Sequence, residues 1–113
     1  MDPEEIEFSV DVGGGADGSV VTPHGELDLA TQGRLRTALE QQAARGAVTL
    51  DLSRLRFLDT SGLRLILELT EAAKRDGFAF SVLPGNPAVQ RLFEIAGVRE
   101  LVPFVEPEVG DAS

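Results

Sequence analysis

The run Asp59-Thr60-Ser61-Gly62, with Arg64 one helical turn beyond Thr60, holds the residues of this chain whose types and spacing suit chemistry. Phe57-Leu58 precede it and an amphipathic stretch opening at Leu63 follows. An aspartate in that place caps a helix, because its carboxylate accepts hydrogen bonds from N–H groups the first turn leaves unpartnered. Both hydroxyls then fall in the first turn. A phosphate on either would stand at the positive end of the helix, where an anion gains roughly 0.3–2 kcal/mol. Arg64 is spaced to approach it. Capping alone explains the aspartate and the hydroxyls, but not Gly62, which costs a helix about 1 kcal/mol against alanine. Something offsets that cost: the close approach of a partner's backbone, or tight packing on a neighbouring loop. The run reads as a phosphate-accepting contact loop.

Catalysis by the chain itself is a poor fit. A nucleophile elbow needs glycine two residues before the serine as well as after it, and that position here is Asp59. The single histidine, His24, falls on an expected strand, and the carboxylates show no metal-ligand spacing. No enzyme activity, cofactor or metal is expected. Gly13-Gly14-Gly15-Ala16-Asp17-Gly18 resembles a phosphate loop only superficially, since no Lys-Ser/Thr follows and a strand comes next. It reads as a hairpin turn. Gly25-Glu26-Leu27-Asp28 is the second notable stretch, with two acids leaving a strand just before a helix. It reads either as a turn capped by Asp28 or as part of one surface with the hydroxyl loop. Glu26, Asp28, Asp59, Ser61, Gly62 and Arg64 are the expected contact residues, and Thr60, with Ser61 as the alternative, the expected phosphate acceptor.

The elements that must position these residues follow from periodicity. Ile6, Phe8, Val10 and Val12 alternate with polar residues, marking a strand over 6–12. A second strand spans 19–25, and Pro23, lacking an N–H, predicts an edge position or a bulge. Thr31 is placed to cap a helix reaching about Arg45, with Leu35, Ala38, Leu39 and Ala43 on its apolar stripe. A strand over 47–53 leads to the hydroxyl loop. The helix from Thr60 to about Arg75 buries Leu63, Ile66, Thr70 and Ala73 and exposes Thr60, Ser61, Arg64, Glu68, Glu71 and Arg75. Phe78–Leu83 forms the next strand. Asn86 and Pro87 open a third helix, with Ala88, Val89, Leu92, Phe93 and Ala96 inward. Leu101–Val105 adds a short terminal strand. The expectation is an α/β domain over 6–105, its mixed sheet of four or five strands covered by helices mainly on one face, with flexible ends at 1–5 and 106–113.

A length of 113 residues fits one core without staples, and the absence of cysteine excludes disulfides and thiolate sites. The formal charge of −9 argues against a nucleic-acid surface, which needs clustered Lys and Arg. No apolar run is long enough for membrane insertion. The expected setting is the cytoplasm.

Four blocks in order carry a resemblance: Gly25-Glu26-Leu27-Asp28-Leu29-Ala30-Thr31, Leu50-Asp51-Leu52-Ser53, Phe57-Leu58-Asp59-Thr60-Ser61-Gly62-Leu63 and Arg91-Leu92-Phe93-Glu94-Ile95-Ala96-Gly97-Val98. Together they resemble the STAS domain of bacterial anti-sigma factor antagonists over nearly the whole chain. The resemblance implies a partner switch. The unmodified antagonist binds an anti-sigma factor that is also a serine/threonine kinase of the histidine-kinase-like ATPase fold, and a sigma factor is freed. Phosphorylation in the Asp-Ser/Thr-Ser/Thr-Gly motif ends the association, and a PP2C-type phosphatase restores it. The family's acceptor position carries over onto Thr60, where serine is commoner. Threonine keeps the hydroxyl but stiffens χ1, which leaves open slow use of Thr60, use of Ser61, or no modification at all. STAS domains also serve as docking subunits of lipid transport and stress-signalling assemblies, which implies an alternative role without phosphorylation.

Overall fold

The computed structural model describes residues 7–15 and 17–106. Ile6 and the expected flexible ends, apart from Glu106, lie outside the described residues. In chain order the elements are β1 (Ser9–Gly15), β2 (Gly18–Leu27), α1 (Gln32–Ala43), β3 (Val48–Asp51), β4 (Leu55–Leu58), α2 (Thr60–Asp76), β5 (Phe80–Leu83) and α3 (Pro87–Ile95), then a 3-10 turn at Arg99–Leu101. The strands form one mixed sheet ordered β1-β2-β3-β5, with β4 joined to β2 off that path. β1 and β2 make the antiparallel hairpin, while β2–β3, β2–β4 and β3–β5 are parallel.

The sheet is one-sided because its strands alternate. Val48 and Leu50 of β3 and Phe80 and Val82 of β5 are buried, whereas Thr49, Asp51, Ser81 and Leu83 between them are half-buried. The inward set joins Leu35 and Leu39 of α1, Leu63, Ile66 and Leu69 of α2, and Val89 and Phe93 of α3 in a single apolar cluster. Among the described residues no helix is long and apolar enough to cross a membrane.

The structure corrects several expectations. β2 is not an edge strand: it lies between β1 and its two parallel neighbours. Its pairing with β3 covers Ser19–Val21 and its pairing with β4 begins at Gly25, so Pro23 stands where neither parallel partner is engaged. A register shift follows at Gly25/Glu26. β4 itself was not anticipated in the stretch before Asp59. It skips Arg56 in its pairing with β2, so its burial runs in, out, out, in rather than alternating. The expected strand over Leu101–Val105 is a 3-10 turn and one bridge, in which Val82 N–H donates to Pro103 O (3.0 Å) and Val105 N–H to Val82 O (2.9 Å). Pro103 has no N–H with which to extend the ladder. Val12 is exposed and lines a surface cleft beside the end of α1, and Ala88 and Ala96 are exposed as well.

Asn86 ties the late helix to the unanticipated strand. Its Oδ1 accepts from Val89 N–H at 2.8 Å, capping α3, and its Nδ2 donates to Leu55 O of β4 at 3.3 Å. Asn86→Ala removes both bonds, and a loss of about 1–2 kcal/mol is expected. In urea unfolding the midpoint should fall with the slope unchanged; an unchanged midpoint would show that neither bond matters.

Candidate functional site

β4 is what delivers the hydroxyl loop. Leu27 and Leu58 are paired at the ends of β2 and β4, and Asp59 N–H extends the ladder by donating to Leu27 O at 3.1 Å. The next bond turns the chain. Asp59 is the N-cap of α2, and its Oδ1 accepts from Ser61 N–H (2.8 Å) and Gly62 N–H (3.3 Å). Thr60 is then exposed and Ser61 half-buried, and among the described residues neither hydroxyl is engaged in a hydrogen bond. Both sit on the first turn of α2, and Arg64, one turn further on, is also exposed.

Gly62 faces the other way. It is buried, and a Cβ there would lie 2.6 Å from Leu58 Cδ1 and 2.8 Å from Leu27 Cδ2 and Cγ. Of the two explanations for this glycine, tight packing is the one the structure shows, with α2 seated directly on the ends of β2 and β4. Gly62 presents no surface to a partner, so its expected contact role is corrected.

The β2–α1 loop lies alongside. Asp28 Oδ1 accepts from Ala30 N–H (3.0 Å) and Thr31 N–H (3.1 Å). Thr31 does not cap α1 with its side chain. Its Oγ1 turns back, accepting from Asp28 N–H (2.9 Å) and donating to Glu26 O (2.8 Å). The loop is thus closed on itself, an Asx-type turn with a reciprocal hydroxyl. Glu26 is exposed and pairs with Arg56 of β4 at 3.2 Å. Glu26, Asp28, Asp59, Ser61 and Arg64 therefore gather at one end of the sheet, joined through β4.

Beneath the hydroxyls a cleft of about 310 Å³ runs between the starts of α1 and α2, bordered by Leu29, Gln32, Arg36, Thr60, Arg64 and Glu68 among others. Arg36 is held across it by Glu68, with Glu40 at 3.9 Å on its own helix. Gln32, Arg36 and Leu29 were not singled out from sequence, although Leu29, an apolar residue inside a polar turn, was a usable signal. A larger cleft, about 650 Å³, lies at the opposite end of β2 beside the glycine hairpin. Its Ser19 hydroxyl donates to Gln42 Oε1 (2.6 Å). His24 bonds Asp11 of β1 at 2.8 Å, and among the described residues no group of three His, Asp or Glu could hold a metal ion.

A fold of this topology has known counterparts. The family model for the Mlab, STAS domain matches residues 10–103. The anti-sigma F factor antagonist of Paenibacillus polymyxa is 31% identical over 93 residues, 80% of each chain. Among solved structures, an anti-sigma factor antagonist from Mycobacterium paratuberculosis superposes with a TM-score of 0.71 at 25% identity, covering 92% of this chain and 89% of the other. The Bacillus cell fate determinant SpoIIAA, solved in its phosphorylated form, shares the fold at a TM-score of 0.65 and 18% identity, over 89% of this chain and 91% of that one. The chain belongs to the STAS-domain family of anti-sigma factor antagonists.

The packing at Gly62 is directly testable. Gly62→Val should destabilise the protein by about 1–3 kcal/mol through overpacking against Leu27 and Leu58. Gly62→Ala should lose less, since the better helix former returns about 1 kcal/mol. Chemical denaturation reads both, and a stabilised Gly62→Val would place the glycine outside the core.

Proposed function

We propose that this chain is an anti-sigma factor antagonist of the cytoplasm that switches partners and performs no catalysis of its own. Unphosphorylated, it binds an ATP-using anti-sigma factor of the histidine-kinase-like fold through Glu26, Asp28, Asp59, Ser61 and Arg64, and a sigma factor is released. The anti-sigma factor then phosphorylates Thr60 and the association ends; a PP2C-type phosphatase resets it. The observation that carries this reading is the exposed Thr60 hydroxyl, without a hydrogen bond among the described residues, on a turn whose cap fixes the backbone around it.

In the transfer, Thr60 Oγ1 bonds to the γ-phosphorus of ATP as the bond to the β-phosphate oxygen breaks. ADP leaves, and the hydroxyl proton passes to a base of the kinase. The product carries about −1.5 to −2 charges. Opposite a partner carboxylate 5 Å away, that charge costs about 1.5 kcal/mol at water's dielectric and about 6 kcal/mol at the effective value near a protein surface. The second figure removes about three quarters of a micromolar affinity of about 8 kcal/mol. Stabilisation of the phosphate at the end of α2 amounts to at most about 2 kcal/mol and acts in the free protein as well as the bound. Repulsion from the partner wins.

Incubation with the anti-sigma factor and ATP, followed by intact mass, should show one added phosphate on wild type and none on Thr60→Ala. Phosphate on Thr60→Ala but not on Ser61→Ala would move the acceptor to Ser61. No phosphate on wild type, with co-purification of an ATPase transport or stress-signalling complex, would replace the switch with a docking role.

A further inference from the structure

Two arginines share the cleft beneath Thr60, one from each of the helices that form it. α1 links the parallel strands β2 and β3, and α2 leads from β4 to β5, which runs parallel to β3. The helices therefore lie side by side and begin at the same end of the sheet. Residues four apart share a helix face, and the seam between α1 and α2 keeps their turns in step. Gln32 and Thr60 border the cleft from the first turns, and Arg36 and Arg64 from the second. Glu40 and Glu68 follow in the third, bordering the next cleft along. Arg36 is held by that third level, at Glu68 and more distantly at Glu40. Arg64 makes no ion pair or hydrogen bond among the described residues. The seam thus carries cations in the second turn, anions in the third and two uncharged side chains in the first. An anion at the first turn would complete the pattern.

We propose that Gln32, Arg36 and Arg64 form an internal receptor for a phosphate carried by Thr60, and that phosphorylation draws Arg36 off Glu68 and onto it. This inference rests on Thr60 being the acceptor. Arg64 stands four residues on, with about 5–6 Å between Cβ atoms, so it meets the phosphate along its own helix. Arg36 meets it across the cleft, whose volume of about 310 Å³ leaves room for the group and both guanidinium heads. The phosphate outcompetes Glu68 for two reasons. It carries about −1.5 to −2 charges against the single charge of a carboxylate, and its three oxygens accept from both arginines and Gln32 together. The bridge it replaces is open to water, with the Arg36 side chain 36% and the Glu68 side chain 47% exposed, and such bridges are weak. Glu68 lies two turns from Thr60, about 12 Å along the axis, so salt screens its repulsion of the phosphate. Once held, the phosphate ties the start of α1 to the start of α2 and takes Arg64 away from the partner. Modification then withdraws a contact as well as adding a repulsion.

The test compares the full chain before and after phosphorylation by its anti-sigma factor and ATP, with Thr60→Ala as the control for position. Proton–nitrogen NMR of the arginine side chains, assigned from the signals lost in Arg36→Gln and Arg64→Gln, should show both Arg36 and Arg64 shifted on phosphorylation. The melting temperature should rise by about 4 °C. That rise should vanish in Arg36→Gln, survive in part in Arg36→Lys, and grow in Glu68→Gln, which frees Arg36 from its rival. The arginine signals are read on wild type, so the decision does not depend on a variant serving as kinase substrate. An Arg36 signal that stays in place, or an equal rise in Arg36→Gln, would overturn the receptor and leave the Thr60 reading standing. A wild-type protein that takes up no phosphate at Thr60 would overturn that reading, and the receptor with it.

Discussion

Asp59 closes the sheet and opens the helix at once, and the site depends on that double use. Its backbone N–H completes the β4–β2 pairing at Leu27 O, and its carboxylate takes the first free N–H groups of α2. These three bonds fix the angle at which the chain leaves the sheet. Gly62 then lets α2 sit directly on Leu27 and Leu58. With one face of the turn sealed against the core, the side chain of Thr60 is left exposed beside the cleft between α1 and α2. A side chain held this way is available to another protein without any rearrangement of the fold.

The electrostatics of this end differ from those of the whole. The chain is strongly acidic, yet Arg36, Arg56 and Arg64 lie around the hydroxyl turn and the β2–α1 loop beside it. Two of them are paired, Arg36 with Glu68 and Arg56 with Glu26, in exposed bridges that contribute little to stability, about 0–1 kcal/mol each. Their effect is on the surface a partner meets: a mosaic of both signs with apolar residues between, in place of a uniformly negative face. Complementary charge of that kind favours the right encounter more than it adds affinity.

Much of this was legible in the sequence because local chemistry and tertiary context agree. Asp59 and Asn86 with Pro87 open helices as their types dictate, and the apolar stripe of α2 is buried as its period requires. The misses have physical causes. β4 is four residues long and skips one in its pairing, so no alternation betrays it. Pro23 signals an interruption correctly, but the interruption lies inside a central strand, between two successive partners. Thr31 sits at the cap position of α1, yet its hydroxyl finds better partners behind it, at Asp28 and Glu26. The inward face of Gly62 depends on Leu27, 35 positions earlier in the chain, a contact no local pattern encodes.

The central claim is that a dianion on the exposed hydroxyl of Thr60 decides whether the partner docks. Calorimetric titration of the anti-sigma factor with unmodified protein and with the same protein stoichiometrically phosphorylated measures this directly. The account predicts a loss of at least a hundredfold in affinity, about 2.7 kcal/mol, on phosphorylation. Equal affinity of the two forms would contradict it.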